Sequence, residues 1–338
     1  MNSKFAKLVV ICVLIMLGLL FIGAMMWAFG MEGESSKELD KVTIRMNWKF
    51  TGPHAAFFLE KELGIYKAEG IDLQIMEGSG SGTTALLVGN KTDTFGLADA
   101  SSLIPLMAKE LPIRCVGMVT PASALAIVVR EDSGISSIKE LVGKKVAAVA
   151  GGAPSSLWPA LAVANNIDPD SVELVYVDAA AKIPVLLENK VAGLFGAADD
   201  QPHIMNAQGV PAKSFRFADN GVNLLNLGIF VHEDLIKENP DLIRRFLRAT
   251  RAIIAAYYED PEKAVAALVM EKPELTVEVA LKQAVGFYSR VESPNCPDTD
   301  LLFNCPDDWQ MTIDILKNYK GMEENISQER CYTNEFLD

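Results

Sequence analysis

From Val42 onward, short β-branched or apolar runs alternate with helical segments, and that alternation restricts the chain to a layered α/β fold. Val42-Thr43-Ile44 ends in a polar and aromatic turn, Asn47-Trp48-Lys49. A helix is expected from about Pro53, with Ala55, Phe58, Leu59 and Leu63 on one face and Gly64 as its stop. Residues 71–75 alternate apolar and polar, as a half-buried strand does. The loop Gly78-Ser79-Gly80-Ser81-Gly82-Thr83-Thr84 then runs into an apolar helix at 85–88, and Phe95-Gly96-Leu97 opens a third strand. This βαβαβ order predicts a parallel sheet. Ligands of such sheets sit beyond the C-terminal strand ends, here residues 47–54 and 78–84.

The theme recurs. Strands are expected at 113–119, 125–129 and 145–149, the last ending in Gly151-Gly152-Ala153-Pro154-Ser155-Ser156 before a helix at 157–165. A strand at 172–177, a helix at 183–188 and a strand at 191–196 lead to Asp199-Asp200. A second α/β unit therefore runs from about Arg130 to Gly221, and one more apolar strand follows at 224–231. The remainder is helical, at 242–258, 262–270, 276–287 and 310–319, with Asn-Pro and Asp-Pro pairs as start signals.

Lys4 and Lys7 precede an apolar run at 8–30, about the length of a bilayer span. Residues 1–30 read as an export signal with Ala28-Phe29-Gly30 as its cleavage site, or as an uncleaved membrane anchor, and 31–41 as a polar linker. An extracytoplasmic, periplasmic-type location follows. The net charge of −13 argues against nucleic-acid binding, which needs a basic face. Outside the leader stand Cys115, Cys296, Cys305 and Cys331. Cys296 and Cys305 bracket a Pro/Asp loop, and either a bridge across it or four reduced thiols fits the sequence. No Cys-x-x-Cys and only three His leave no zinc pattern, so no metal site is expected.

The stretch NWKFTGPHAAFFLEKELGIYKAEGIDLQI, the Gly/Ser loop after it and TDTFGLADASSL resemble solute-binding proteins of ABC importers. The group takes up thiamine pyrimidine precursors, taurine and alkanesulfonates, and is related to fungal thiamine-pyrimidine synthases. The resemblance covers nearly all of the chain after residue 40. It implies a two-lobed, type II periplasmic-binding-protein fold, each lobe a mainly parallel sheet flanked by helices. Lobe 1 would comprise 42–127 and 229–338 with the C-terminal helices, and lobe 2 would comprise 128–228. Connections near 126–130 and 226–231 would join them, and residues 332–337 would dock on lobe 1. It further implies a monomer that captures a small planar or anionic solute by hinge closure, a thiamine pyrimidine precursor being favoured, for an ABC permease and its ATPase.

On this reading Asn47 bonds a ligand edge and Trp48 stacks on it, while His54 touches ligand or caps its helix. Ser79, Gly80, Ser81 and Thr83 offer backbone N–H groups at a helix start. Thr at 83 breaks the dinucleotide fingerprint, and no Lys-Ser/Thr pair makes a phosphate loop. Asp99 accepts from ligand or caps the next helix. Gly151 and Ser155 repeat the loop theme in lobe 2, and Trp158 is a second aromatic wall or core. Bacterial pyrimidine binders carry a Glu at the position of Ala198, and Asp199 would take over its contact. Fungal synthases carry a Lys and a His where this chain has Ala98 and Ser102. No cofactor and no enzymatic activity are therefore expected; the alternatives are a membrane-anchored ligand sensor and a pyrimidine-synthase-like enzyme.

Overall fold

The computed structural model describes residues 38–320 and 322–337. The expected export segment 1–30 and most of the 31–41 linker lie outside the described residues. Two mixed five-stranded sheets, each flanked by helices, form two lobes. The first sheet holds β1 (Asp40–Arg45), β2 (Ile71–Met76), β3 (Phe95–Asp99) and β4 (Ile113–Met118), and it is completed by β10 (Leu227–His232). Its order is β2-β1-β3-β10-β4. The second holds β5 (Leu125–Arg130), β6 (Lys145–Ala148), β7 (Glu173–Tyr176), β8 (Gly193–Ala197) and β9 (Ala212–Arg216), in the order β7-β6-β8-β5-β9.

The two orders match strand for strand. In lobe 1, β1 pairs in parallel with β2 and β3, and β10 runs antiparallel to both its neighbours. In lobe 2, β6 pairs in parallel with β7 and β8, and β5 runs antiparallel to both its neighbours. The reversed strand in each sheet is the one the chain enters directly from the other lobe. It starts at the cleft, whereas the parallel strands end there. The stretches near 126–130 and 226–231, expected as connections, thus fall almost wholly within β5 and β10; the chain passes between the sheets at 119–124 and 217–226.

The helices are α1 (Ala55–Phe58), α2 (Ser81–Gly89), α3 (Ala100–Ala108), α4 (Ala153–Ser156), α5 (Trp158–Ala164), α6 (Lys182–Leu187) and α7 (Gln201–Ala207). They continue with α8 (Pro240–Glu259), α9 (Pro261–Glu271), α10 (Val277–Tyr288) and α11 (Pro306–Lys320), with further short helices and turns between the named ones and after α11. Asn239 caps α8, its side chain accepting from Leu242 N at 3.2 Å, and Asp260 caps α9 through Lys263 N at 2.9 Å. Leu242, Ile243, Phe246, Leu247, Ile253 and Ile254 recur at helical spacing and are buried against the lobe 1 sheet. Phe246 stacks on Phe95 with ring centroids 3.7 Å apart, a burial that stabilises by about 1.5–3 kcal/mol per large side chain.

α11 behaves differently from the other C-terminal helices. Its Trp309, Ile313 and Leu316 share one apolar cluster with Leu157 and Leu161 of lobe 2, and Thr312 Oγ1 accepts from Leu225 N at 3.1 Å. It braces both lobes behind the cleft. Cys296 and Cys305 form a disulfide just before it, while Cys115 and Cys331 are buried thiols. The C-terminal segment lies on lobe 1: Thr333 N donates to Cys115 O at 2.9 Å, and Phe336 is buried in the lobe 1 core.

Candidate functional site

The C-terminal ends of the parallel strands in both lobes meet at a cavity of about 110 Å³. On the lobe 1 side, β1 delivers Asn47 and Trp48 to its wall, and the following turn delivers His54. His54 is 1 % exposed, and burial lowers its pKa to about 4, so the imidazole is neutral at physiological pH. Its Nδ1 accepts from Thr51 N at 3.1 Å, so the proton sits on Nε2. Nε2 in turn donates to Asn47 Oδ1 at 3.1 Å. The chain Thr51–His54–Asn47 fixes the Asn47 amide and leaves its two N–H donors without a partner among the described residues.

The Gly/Ser loop is built for close approach. Gly80 has φ +139, and a Cβ there would lie 2.7 Å from Gly151 O of lobe 2. Gly82 N donates to Gly151 O at 3.1 Å. Ser81 Oγ accepts from Asp99 N at 3.0 Å, and Asp99 caps α3 through Ser102 N at 3.0 Å. The loop therefore seals one edge of the cleft against lobe 2.

Lobe 2 brings charge. Lys182, first residue of α6, is 5 % exposed, and its Nζ lies 4.5 Å from the Trp48 ring centroid across the cleft. Burial lowers its pKa to about 8, an effect Asp200 partly opposes. Asp199 pairs with Arg290, a residue just beyond α10. Asp200 accepts from Gln201 of its own lobe, and from Gln283 Nε2 of α10 at 2.7 Å. Burial raises the Asp200 carboxyl to about 6. Gln283 also accepts from Gly52 N at 3.0 Å, so a single α10 side chain links the lobe 1 wall to lobe 2. A Cβ on Gly52 would come 2.1 Å from Ala280 O, which is how closely this turn is pressed onto α10.

Asn47, Trp48, His54, Gly80, Ser81 and Asp99 thus line the cavity from lobe 1, with Ser155 and Asp199 from lobe 2. Asp99 acts as a helix cap and Asp199 as half of an ion pair. Four expected residues do not line it. Ser79 is exposed at the loop apex, whereas Thr83 and Gly151 meet one another at the seal between the lobes. Trp158 is core: it is 1 % exposed, packs on Phe195, and its indole N–H donates to Pro169 O at 3.0 Å. Its position one turn into the loop–helix motif points it inward.

Lys182, Gln283 and Arg290 were not anticipated. Lys182 carried a usable signal, a lone charge after Ala179-Ala180-Ala181 just past a strand end. Gln283 and Arg290 carried none, because their partners lie about 80–90 residues away in sequence.

Two mixed α/β lobes closing on a shared cavity define a periplasmic-binding-protein fold. The chain belongs to the NMT1/THI5 like family, whose model matches residues 51–264. It is similar to a protein of Legionella pneumophila named 4-amino-5-hydroxymethyl-2-methylpyrimidine phosphate synthase, with 26% identity over 88% of this chain and 92% of that one. Its fold is shared by the alkanesulfonate-binding protein SsuA of Xanthomonas axonopodis pv. citri, solved bound to MOPS, with TM-score 0.68 and 12% identity over 86% of this chain and 96% of that one. It is also shared by a ligand-binding component of an ABC-type import system from Staphylococcus aureus, with TM-score 0.67 and 10% identity over 88% and 97%.

The expectation that the chain is not an enzyme is corrected by the Legionella relative, which is named a synthase and matches nearly the whole described chain. That expectation rested on Ala98 and Ser102, on Asn226-Leu227-Gly228-Ile229 where fungal synthases carry a Cys-rich run, and on the lack of a cofactor lysine, metal cluster or nucleophile–base pair in the matching stretches. The cleft holds an amine elsewhere, at Lys182. Among the described residues no helix is long and apolar enough to cross a membrane, and no His, Cys, Asp or Glu cluster suits a metal.

Proposed function

We infer that this chain is the solute-binding component of an ABC importer, acting outside the cytoplasm as a monomer. It captures a small planar or anionic solute between its lobes, with a thiamine-pyrimidine-precursor-like molecule favoured, and offers the closed form to a permease driven by an ATPase. One observation carries the reading: the cavity is walled by both lobes, and bonds between the lobes adjoin it at Asp199–Arg290 and Asp200–Gln283. A ligand that touches both walls exists as such only in the closed form, so its binding free energy is free energy of closure.

The test is a thermal-shift screen of the full chain against 4-amino-5-hydroxymethyl-2-methylpyrimidine, its phosphate, thiamine, riboflavin, taurine and alkanesulfonates. A ligand at about 100 times its dissociation constant adds roughly 2.7 kcal/mol of stability, a shift of several degrees. Trp48→Ala is expected to abolish it. No shift across the panel would overturn these ligand classes. A second reading, a synthase, is favoured by the name of the Legionella relative. Release of 4-amino-5-hydroxymethyl-2-methylpyrimidine phosphate by the purified chain, lost in Trp48→Ala, would establish it.

A further inference from the structure

The cleft's polar groups divide unequally between those the fold satisfies and those it leaves open. Asp199 and Asp200 are engaged by Arg290, Gln201 and Gln283. His54 uses both ring nitrogens, on Thr51 and Asn47. Lys182 is the contrast. It is 5 % exposed and lines the cavity, yet no acceptor lies within hydrogen-bond or ion-pair distance of its Nζ among the described residues. Its contact is with the face of Trp48, which takes none of the ammonium's three protons in a hydrogen bond. Asn47 adds a second open donor, its amide nitrogen, held in place by the bond from His54.

A donor that lines a cavity and has no protein acceptor is left to whatever enters the cavity, so two of them favour a ligand that brings acceptors. Apolar side chains also line the cavity, among them Leu125, Phe195, Leu227 and Phe287. We propose that the cleft selects a compact anion, a carboxylate, sulfonate or phosphate carried on a small apolar or aromatic body, whose charged group is received by Lys182 of lobe 2 and Asn47 of lobe 1. The proposal rests on the reading that the cleft binds a small molecule, and it makes Lys182 the residue that sets specificity. It also accounts for Ala198: an amine-bearing neutral ligand needs a carboxylate acceptor, and the two carboxylates next in the chain are already committed across the cleft.

Calorimetric titration of the full chain with matched pairs tests this. The pairs are benzoate with benzamide, benzenesulfonate with benzenesulfonamide, and 4-amino-5-hydroxymethyl-2-methylpyrimidine phosphate with the unphosphorylated alcohol. At least one anion is expected to bind tenfold or more tightly than its neutral partner. Lys182→Met is expected to weaken that anion tenfold or more and to leave the neutral partner within threefold, while Lys182→Arg keeps the preference. Neutral members that bind as well as the anions, with Lys182→Met indifferent, would overturn anion selection and leave a binding cleft standing. No binding by any member would overturn both. Should Lys182→Met fail to fold, the wild-type ratio within each pair still decides.

Discussion

The two walls of the cleft are built from matching sheets and solve opposite problems. The lobe 1 wall presents Asn47, Trp48 and His54, uncharged groups whose hydrogen bonds are made within their own lobe. The lobe 2 wall presents Lys182, Asp199 and Asp200, charged groups whose main counterparts stand on lobe 1. The first wall makes its bonds within one lobe and leaves only the Asn47 amide nitrogen open. The two carboxylates of the second are held by partners across the cleft, while Lys182 has no protein acceptor among the described residues. Strand order alone therefore does not make two lobes equivalent: one is a preorganised surface, and the other carries the groups that make closure favourable.

The largest expected separation of the two walls is in their response to pH. Folded His54 has its pKa near 4, below the ordinary 6.5, so the unfolded chain binds more protons between those values. Stability then rises with pH across that window by about 3 kcal/mol from this group. Folded Asp200 has its pKa near 6, above the ordinary 3.8, so the folded chain binds more protons there. Stability then falls across pH 3.8–6 by a similar amount, about 3 kcal/mol. The two oppose one another in the wild type. Urea unfolding at a series of pH values is expected to show a steeper rise in Asp200→Asn and a flatter or falling profile in His54→Gln. Identical profiles in both variants would break the comparison.

Next in size is the ion pair across the cleft. Arg290→Met leaves Asp199 in a mostly buried place without its cation and is expected to cost about 2 kcal/mol. Asp199→Asn together with Arg290→Met is expected to recover part of that loss in a double-mutant cycle. Small-angle scattering is expected to record a larger radius of gyration for the single variant, as the lobes part.

Gly80→Ala tests the seal. A side chain there meets Gly151 O and a φ that favours glycine, so a cost of about 1–2 kcal/mol is expected. Amide exchange is expected to quicken in 78–84 and 151–155 together, since each loop covers the other. Faster exchange in 78–84 alone would mean the seal is not shared.

The smallest effect is expected at Trp158. Trp158→Phe removes the indole bond to Pro169 O and is expected to cost about 1 kcal/mol in unfolding, with ligand affinity unchanged within twofold. A larger change in affinity would return this ring to the cleft wall.

The sequence was most legible where chemistry is local. The Val42–Ile44 and Ile71–Ile75 patterns, the caps at Asn239 and Asp260 and the docking of Phe336 all rest on residues close together or on plain apolarity. Parallel strands ending at a cleft also placed Asn47, Trp48 and Gly80 near one another. Legibility failed where a residue's role depends on a distant partner. Asp199 lines the cavity, but its engagement with Arg290 is invisible without the fold. Trp158 shows the other failure: one position in an α-helix turns a side chain by about 100°, enough to move it from cleft to core. The exchange of sheets at β5 and β10 was displaced by a few residues because apolar strands and apolar connections look alike in composition.

The interleaving of the lobes sets an order of assembly during synthesis. All the strands of lobe 2 lie within residues 125–216, whereas the lobe 1 sheet lacks its fourth position until Leu227–His232 has been made. β4 has no neighbour on its inner side until β10 arrives between it and β3. Lobe 2, begun second, is thus the first whose strands are all available, and the emerging chain carries an unfinished lobe 1 with open strand edges while lobe 2 is made. Such edges invite pairing with other chains. A nascent chain of this design needs protection longest over its earliest-made half.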